Sequence, residues 1–227
     1  MTTPGDHGRF DGYDVLSQAR TWDPLTAGVV LGRLRPPPAL CYFTEAEGAT
    51  AAALLDRLLG QDVEPRLPLV AAVDTRLALG MTDGWRYADM PHDGEAWRRS
   101  LAAVDEDARS AHRTSLSDLD VHHQRDVVQG VQDLSHPDPD HDDGMWHGLP
   151  ARHVWSLWTR YGCAAFYSHP WAWNEIGFGG PAYPRGYKNL GLEAREPWER
   201  PERDARDPVP WGEQAAQARA EHREPPI

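Results

Sequence analysis

Apolar positions in this chain recur at three- and four-residue spacing, which predicts helices rather than strands. Leu54, Leu55, Leu58 and Leu59 form a stripe behind Thr44 and Glu47, an S/T-x-x-E capping box, and Gly60 supplies the stop. Pro68 opens a segment in which Leu69, Val73 and Leu77 recur every four residues up to Gly80, so these two segments read as a helical hairpin. A turn-rich stretch from Thr82 to Asp93 follows. From Glu95, Trp97, Leu101, Val104, Ala108 and Ala111 place one apolar face on a helix whose other face is charged. Ser117 and Asp120 read as a second capping box before Val127, Val131 and Leu134. Val154, Leu157, Trp158, Tyr161 and Phe166 mark a last long helix. Nearer the N-terminus, Asp23 before Pro24 is a helix start, and Pro36, Pro37 and Pro38 stop that helix at Leu34. No stretch alternates with period two over more than a few residues. The predicted fold class is all-α, a compact helical domain with a long ordered loop and a polar C-terminal tail.

That loop runs from Tyr167 to Tyr187, YSHPWAWNEIGFGGPAYPRGY. Its glycines permit unusual backbone angles, its prolines fix φ, and its aromatics supply the material for order. Two readings stand side by side. The loop folds its aromatics onto the helices, or it presents them as a recognition surface, since Trp and Tyr are the commonest interface anchors. After Glu199 the composition turns to Arg, Glu, Pro and Ala, with one short helical pattern at Gln214 to His222. The organisation expected is an N-terminal segment over 1–40 with one short helix, a helical domain over 41–200 and a polar tail over 201–227. Residues 1–12 are polar and glycine-rich, expected to form a loose terminus.

Composition narrows the partners. A chain of 227 residues holds one core, and a net charge of −12 argues against nucleic acid or an anionic membrane surface. Cys41 and Cys163 are too few for a disulfide framework and lack CxxC spacing. One bridge between them stays open, with two reduced, partly buried thiols as the expectation. The longest apolar run near the start, Ala27 to Leu31, is too short to span a bilayer, and no signal-peptide pattern or twin arginine precedes it. A cytoplasmic protein without a membrane partner is expected.

No GxGxxG, GxxxxGK[ST], GxSxG or HExxH motif is present. The segment His136 to His147, HPDPDHDDGMWH, alternates acids as a calcium loop does, but has Asp143 where glycine belongs and Leu149 where the bidentate Glu belongs. His136, His141 and His147 with an aspartate are the material for a transition-metal site, and a free-standing metal-dependent enzyme built on residues 136–147 is the alternative reading. A solvated acidic linker without bound metal is preferred. His122 and His123 point about 100° apart on a helix, so one is expected to pack and the other to face water. Glu45, Glu47 and Asp56 read as solvated helix faces.

The run His169-Pro170, Trp173, Glu175-Ile176-Gly177 and Gly180-Pro181-Ala182-Tyr183-Pro184-Arg185-Gly186-Tyr187 resembles the C-terminal signature of the gluconate 2-dehydrogenase subunit 3 family. Phe43-Thr44 with Glu45 or Glu47, Leu54-Leu55 and Asp56-Arg57-Leu58-Leu59 resemble its opening helix, and the region of Leu119 and Gln124 its middle helix. The resemblance covers roughly residues 40–200. It implies a non-catalytic accessory subunit that supports the folding, stability or export of a large FAD-binding oxidoreductase of the glucose-methanol-choline type. FAD is then expected in the partner and no cofactor in this chain. The loop residues His169, Trp171, Trp173, Phe178, Tyr183, Arg185 and Tyr187 are the expected partner-binding set. Exported members of the family begin with a twin-arginine signal, which this chain lacks, so a cytoplasmic complex is expected.

Overall fold

A computed structural model of the chain describes residues 14–62, 64, 66–136 and 144–182. Its helices are α1 (Pro24–Gly32), α2 (Glu45–Leu58), α3 (Leu69–Ala78), α4 (Asp93–His112), α5 (Val121–Leu134), α6 (Ala151–Tyr167) and α7 (Pro170–Ile176). Short 3-10 turns precede α1 (Val15–Thr21) and α5 (Leu116–Asp118). A two-residue hairpin of β1 (Met145–Trp146) and β2 (Leu149–Pro150) leads into α6, so the all-α expectation holds for the described residues. None of the described helices is long and apolar enough to cross a membrane.

The helix starts follow their sequence signals. Asp23 caps α1 by accepting from the Leu25 and Thr26 amides, with Pro24 in the first turn. Thr44 and Glu47 close the capping box on α2, the Thr44 hydroxyl accepting from the Glu47 amide and the Glu47 carboxylate from the Thr44 amide. At α5 the expected Ser117–Asp120 box is corrected. Asp120 is itself the N-cap, accepting from the His122 and His123 amides, while Ser117 lies in the preceding 3-10 turn. Asp at the cap position satisfies two orphan amides with one carboxylate and needs no partner upstream.

One core joins α2 to α6. Trp97, Leu101, Val104 and Ala108 from α4 meet Val154, Leu157, Trp158 and Tyr161 from α6, all buried, with Leu54 and Leu55 of α2. The two fully buried aromatics of α6 each place their polar end on α4. Trp158 Nε1 donates to Ser100 Oγ at 2.9 Å, and Tyr161 donates to Asp93 Oδ2 at 2.7 Å. Burial and then the Asp93 carboxylate push the Tyr161 phenol above its ordinary pKa, so it remains a donor. These bonds fix the rotation of α6 about its own axis and decide which of its residues face outward.

The loop before α2 is held from below by α3. Asp74 is buried, and its carboxylate accepts from the Cys41, Tyr42 and Phe43 amides at 2.7, 2.9 and 2.7 Å. Three backbone donors there replace the hydration that the carboxylate loses on burial. The same bonds end the proline run and deliver Phe43 to the core at the edge of Trp97.

The sequence of Tyr167 to Tyr187 reads as a loop, but its first half is helical. His169 caps α7 by accepting from the Trp171 amide, Pro170 occupies the first turn, and Gly177 ends the helix at φ 67°. Pro170 is pre-set for a helix start as readily as for a turn, and the His169 cap decides between them.

Replacing Asp74 by Ala leaves three amides without their acceptor, that of Phe43 buried and those of Cys41 and Tyr42 partly so. Urea denaturation of this variant is expected to show a loss of about 3 kcal/mol, with Asp74→Asn losing less because one acceptor remains.

Candidate functional site

Four of the expected partner-binding residues lie among the described residues, and the structure separates them by environment. Trp173 is buried in a small second core with Val15, Trp22 and Val30, so α7 receives the N-terminal segment. Trp173 Nε1 donates to the Tyr167 carbonyl at 2.6 Å, and the Val15 amide donates to Asn174 Oδ1 at 2.8 Å. Gly180, at φ 77°, lies against Trp22, where an added Cβ would sit 2.7 Å from the indole. His169 is also buried, Trp171 packs half-buried on the main core, and Phe178 stands 40 % exposed at the edge of Trp173. Tyr183, Arg185 and Tyr187 lie outside the described residues. Within this clasp Trp22 Nε1 and the Asn174 side-chain amide are buried donors without an acceptor among the described residues.

Exposed apolar side chains stand on α1, beyond α3 and at the ends of α6 and α7, and the sequence reading missed them. Leu25 and Val29 stand one turn apart on the outside of α1, with Leu31 beyond them, at 78, 54 and 43 % exposure. Leu79, Met81 and Trp85 stand exposed beyond the end of α3, and Tyr167, Ile176 and Phe178 at the ends of α6 and α7. Side by side, α3 and α6 run antiparallel, Ala72 near Ala165 at one end and Arg76 against Tyr161 towards the other. Between them lies a groove of about 340 Å³ roofed by Pro36, Pro37 and Pro38 and floored by Ala71, Ala72, Thr75 and Ala165. A further hollow of about 150 Å³ over Ala164 and Tyr161 continues it.

The charge on this side departs from the rest of the chain. No acidic residue occurs in α1, in residues 33–40 or in α6, and the single one in α3 is the buried Asp74, although the chain has 35 acidic residues. Asp83, in the loop after α3, is paired to Arg76 and Arg160, and Trp85 lies under the Arg160 guanidinium at 4.4 Å. Arg33 and Arg35 line the groove, and Arg33 donates to the Ser168 carbonyl at 2.7 Å. Neither arginine has a carboxylate partner among the described residues. Partial burial without an acid lowers the Arg33 pKa from its ordinary value.

The other polar groups serve packing. His153 pairs through Nδ1 with Asp89 at 2.8 Å and stacks on Tyr87 at 3.6 Å, but no hydroxyl or thiol bonds it among the described residues. His136 lies against Ser135 Oγ, while His147 pairs with Asp107 at 2.7 Å. Residues 137–143, with His141, lie outside the described residues, and among the described ones no group of three metal-ligating side chains forms. The expectation for His122 and His123 is corrected, since both face water. The buried stripe of α5 is Gln124, Val128 and Val131, which turns both histidines outward. Cys41 and Cys163 are free and exposed, rather than partly buried.

The family model described as gluconate 2-dehydrogenase subunit 3 matches residues 45–180, within the span on which the sequence resemblance rests. No match was found among curated proteins or solved structures. The matched region begins at α2 and takes in both walls of the α3–α6 groove and the whole of α7.

Burial holds the His169 pKa below its ordinary 6.5, the Arg33 carbonyl opposing this and the Arg33 charge adding to it. The fold therefore favours the neutral ring. This contribution to stability is complete above pH 6.5 and is lost as the pH falls from there towards the lowered value. His169→Asn keeps a capping acceptor and removes the titration. Unfolding free energies from urea titrations at about pH 7.5 and about pH 5.5 should differ less for the variant than for the wild type, by up to about 1 kcal/mol.

Proposed function

The chain belongs to the gluconate 2-dehydrogenase subunit 3 family, and from that premise we propose that it is a non-catalytic small subunit that binds and stabilises a large FAD-dependent dehydrogenase of the glucose-methanol-choline type. The partner then holds the flavin and the sugar or alcohol substrate, and this chain supplies surface. Membership supports the general setting, an accessory subunit of a dehydrogenase complex.

The observation that carries this reading is the set of exposed apolar side chains on α1, just after α3 and at the ends of α6 and α7, where α1 and α6 hold no acidic residue and α3 only the buried Asp74. Exposed large apolar side chains, where they form a patch, mark protein–protein contact. The charge here fits the same use. Negative charge is lowered by the lack of carboxylates in α1, residues 33–40 and α6 and by the pairing of Asp83 to Arg76 and Arg160, which lessens the repulsion that an acidic partner would meet there.

In this reading the expected partner-binding residues divide their work. Phe178 meets the partner directly, together with Tyr167, which was not in the expected set. Trp173 and His169 act from inside, as positioning residues that hold α7 and the N-terminal segment where α1 can present Leu25 and Val29. Trp171 bridges to the main core. Tyr183, Arg185 and Tyr187 are proposed to extend the contact.

Affinity purification of the tagged chain from its native host, with an absorbance scan between about 350 and 500 nm, tests this. The expected result is a larger co-purifying chain with a flavin spectrum, and a colourless single chain would contradict it. Trp173→Ala is expected to weaken that assembly about tenfold or more while far-UV circular dichroism stays close to wild type. Unchanged assembly would remove Trp173 from the account.

A further inference from the structure

We propose that the groove between the proline strap and the α3–α6 pair is the seat of an extended segment of the partner subunit, one that brings an apolar side chain and a carboxylate together. This rests on the accessory-subunit reading and specifies what the partner must offer.

Three features of the groove select that occupant. First, its floor is made of Ala71, Ala72, Thr75 and Ala165, side chains too short to fill the space beneath the strap. A volume of about 340 Å³ lies at the small end of the range for ligand pockets, room for one large apolar side chain and its neighbours. Leu67 and Leu69 supply further apolar wall.

Second, Arg33 and Arg35 stand at this groove without a carboxylate among the described residues. Elsewhere arginines are neutralised locally, Arg76 and Arg160 by Asp83 and Arg66 by Asp56 and Glu64. In a chain with 35 acidic residues and 23 basic ones, two arginines left together beside an apolar hollow mark a place for an acid from outside. Arg33 already gives up hydration there, which the lowered pKa reflects, so a carboxylate that reached it would restore favourable contact.

Third, the strap offers acceptors and no donors of its own. Pro36, Pro37 and Pro38 have no amide hydrogen, and no backbone–backbone hydrogen bond of the described chain involves residues 36–40. The carbonyls of Pro36, Pro37 and Pro38 are therefore available to the amides of an extended chain laid beside them, while that of Ala39 accepts from Cys41 Sγ. A helix, whose amides are satisfied internally, would use none of them. The strap is held at its far end by the bonds from the Cys41 to Phe43 amides to Asp74, so its own position costs little on docking.

The test measures binding of the purified flavoprotein to the full chain and to three variants. Ala72→Trp fills the groove from an exposed position, Arg33→Glu/Arg35→Glu reverses the charge, and Arg33→Lys/Arg35→Lys keeps it. The first two are expected to weaken binding about tenfold or more with unchanged circular dichroism, and the lysine variant to stay within a few fold of wild type. An array of overlapping peptides covering the flavoprotein sequence, probed with the full chain, should show an apolar segment containing Asp or Glu, absent with the charge-reversed variant. Flavoprotein binding that survives Ala72→Trp, or a bound peptide without an acid, overturns this proposal and leaves the accessory role intact. Failure of the wild-type chain to bind any flavoprotein overturns both, and the wild-type control separates the two cases.

Discussion

The packing of α6 against α4 is the constraint from which the rest of the molecule follows. Trp158 and Tyr161 are committed to that side, each with its polar end anchored on α4, to Ser100 and Asp93. With its rotation fixed, α6 turns Ala164, Ala165 and Ser168 towards α3, which meets them with Ala72. Large side chains at these positions would close the space between the helices. Small ones leave a groove, and the proline run that crosses it cannot fill it because it is held from Asp74 rather than from the groove floor.

A second consequence concerns the N-terminal segment. The end of α6 passes directly into α7, and α7 provides both the apolar surface of Trp173 and the Asn174 acceptor for the Val15 amide. These contacts bring α1 alongside the groove, tied at its end by Arg33 to the Ser168 carbonyl. A helix such as α1, apolar on every side, is stable in isolation neither by amphipathic packing nor by surface charge. Its buried side is accounted for by Val30 in the clasp, and its outer side, with Leu25 and Val29, remains for a partner.

Much of the fold was legible because the signals were local. The Thr44–Glu47 box, the Asp23–Pro24 start and the four-residue spacing of Trp97, Leu101, Val104 and Ala108 each carry their own structural meaning. The anchors on α7 were legible as a set but not in their environments, since an aromatic run does not say which rings find internal partners. Trp173 found Trp22 and Val15, more than 150 residues away, while Phe178 packs edge-on to Trp173 and stays 40 % exposed. The groove was not legible at all. Alanine and proline leave no functional signature in sequence, and the meaning of Arg33 and Arg35 depends on the carboxylates that three-dimensional packing keeps away from them. One signal was available earlier: the absence of acidic residues from residues 24–40 and 151–167 in so acidic a chain.

Hydroxyl-radical footprinting of the chain, free and in complex with the flavoprotein, tests the central claim most directly. Met81, Trp85, Tyr167 and Phe178 are exposed, reactive side chains on the proposed docking side, and Met145 is an exposed methionine on the hairpin that packs against α5. The account predicts that oxidation of the first four falls in the complex while that of Met145 is unchanged. Protection of Met145 with the other four left as reactive as in the free chain would place the partner on the other side of the molecule and contradict it.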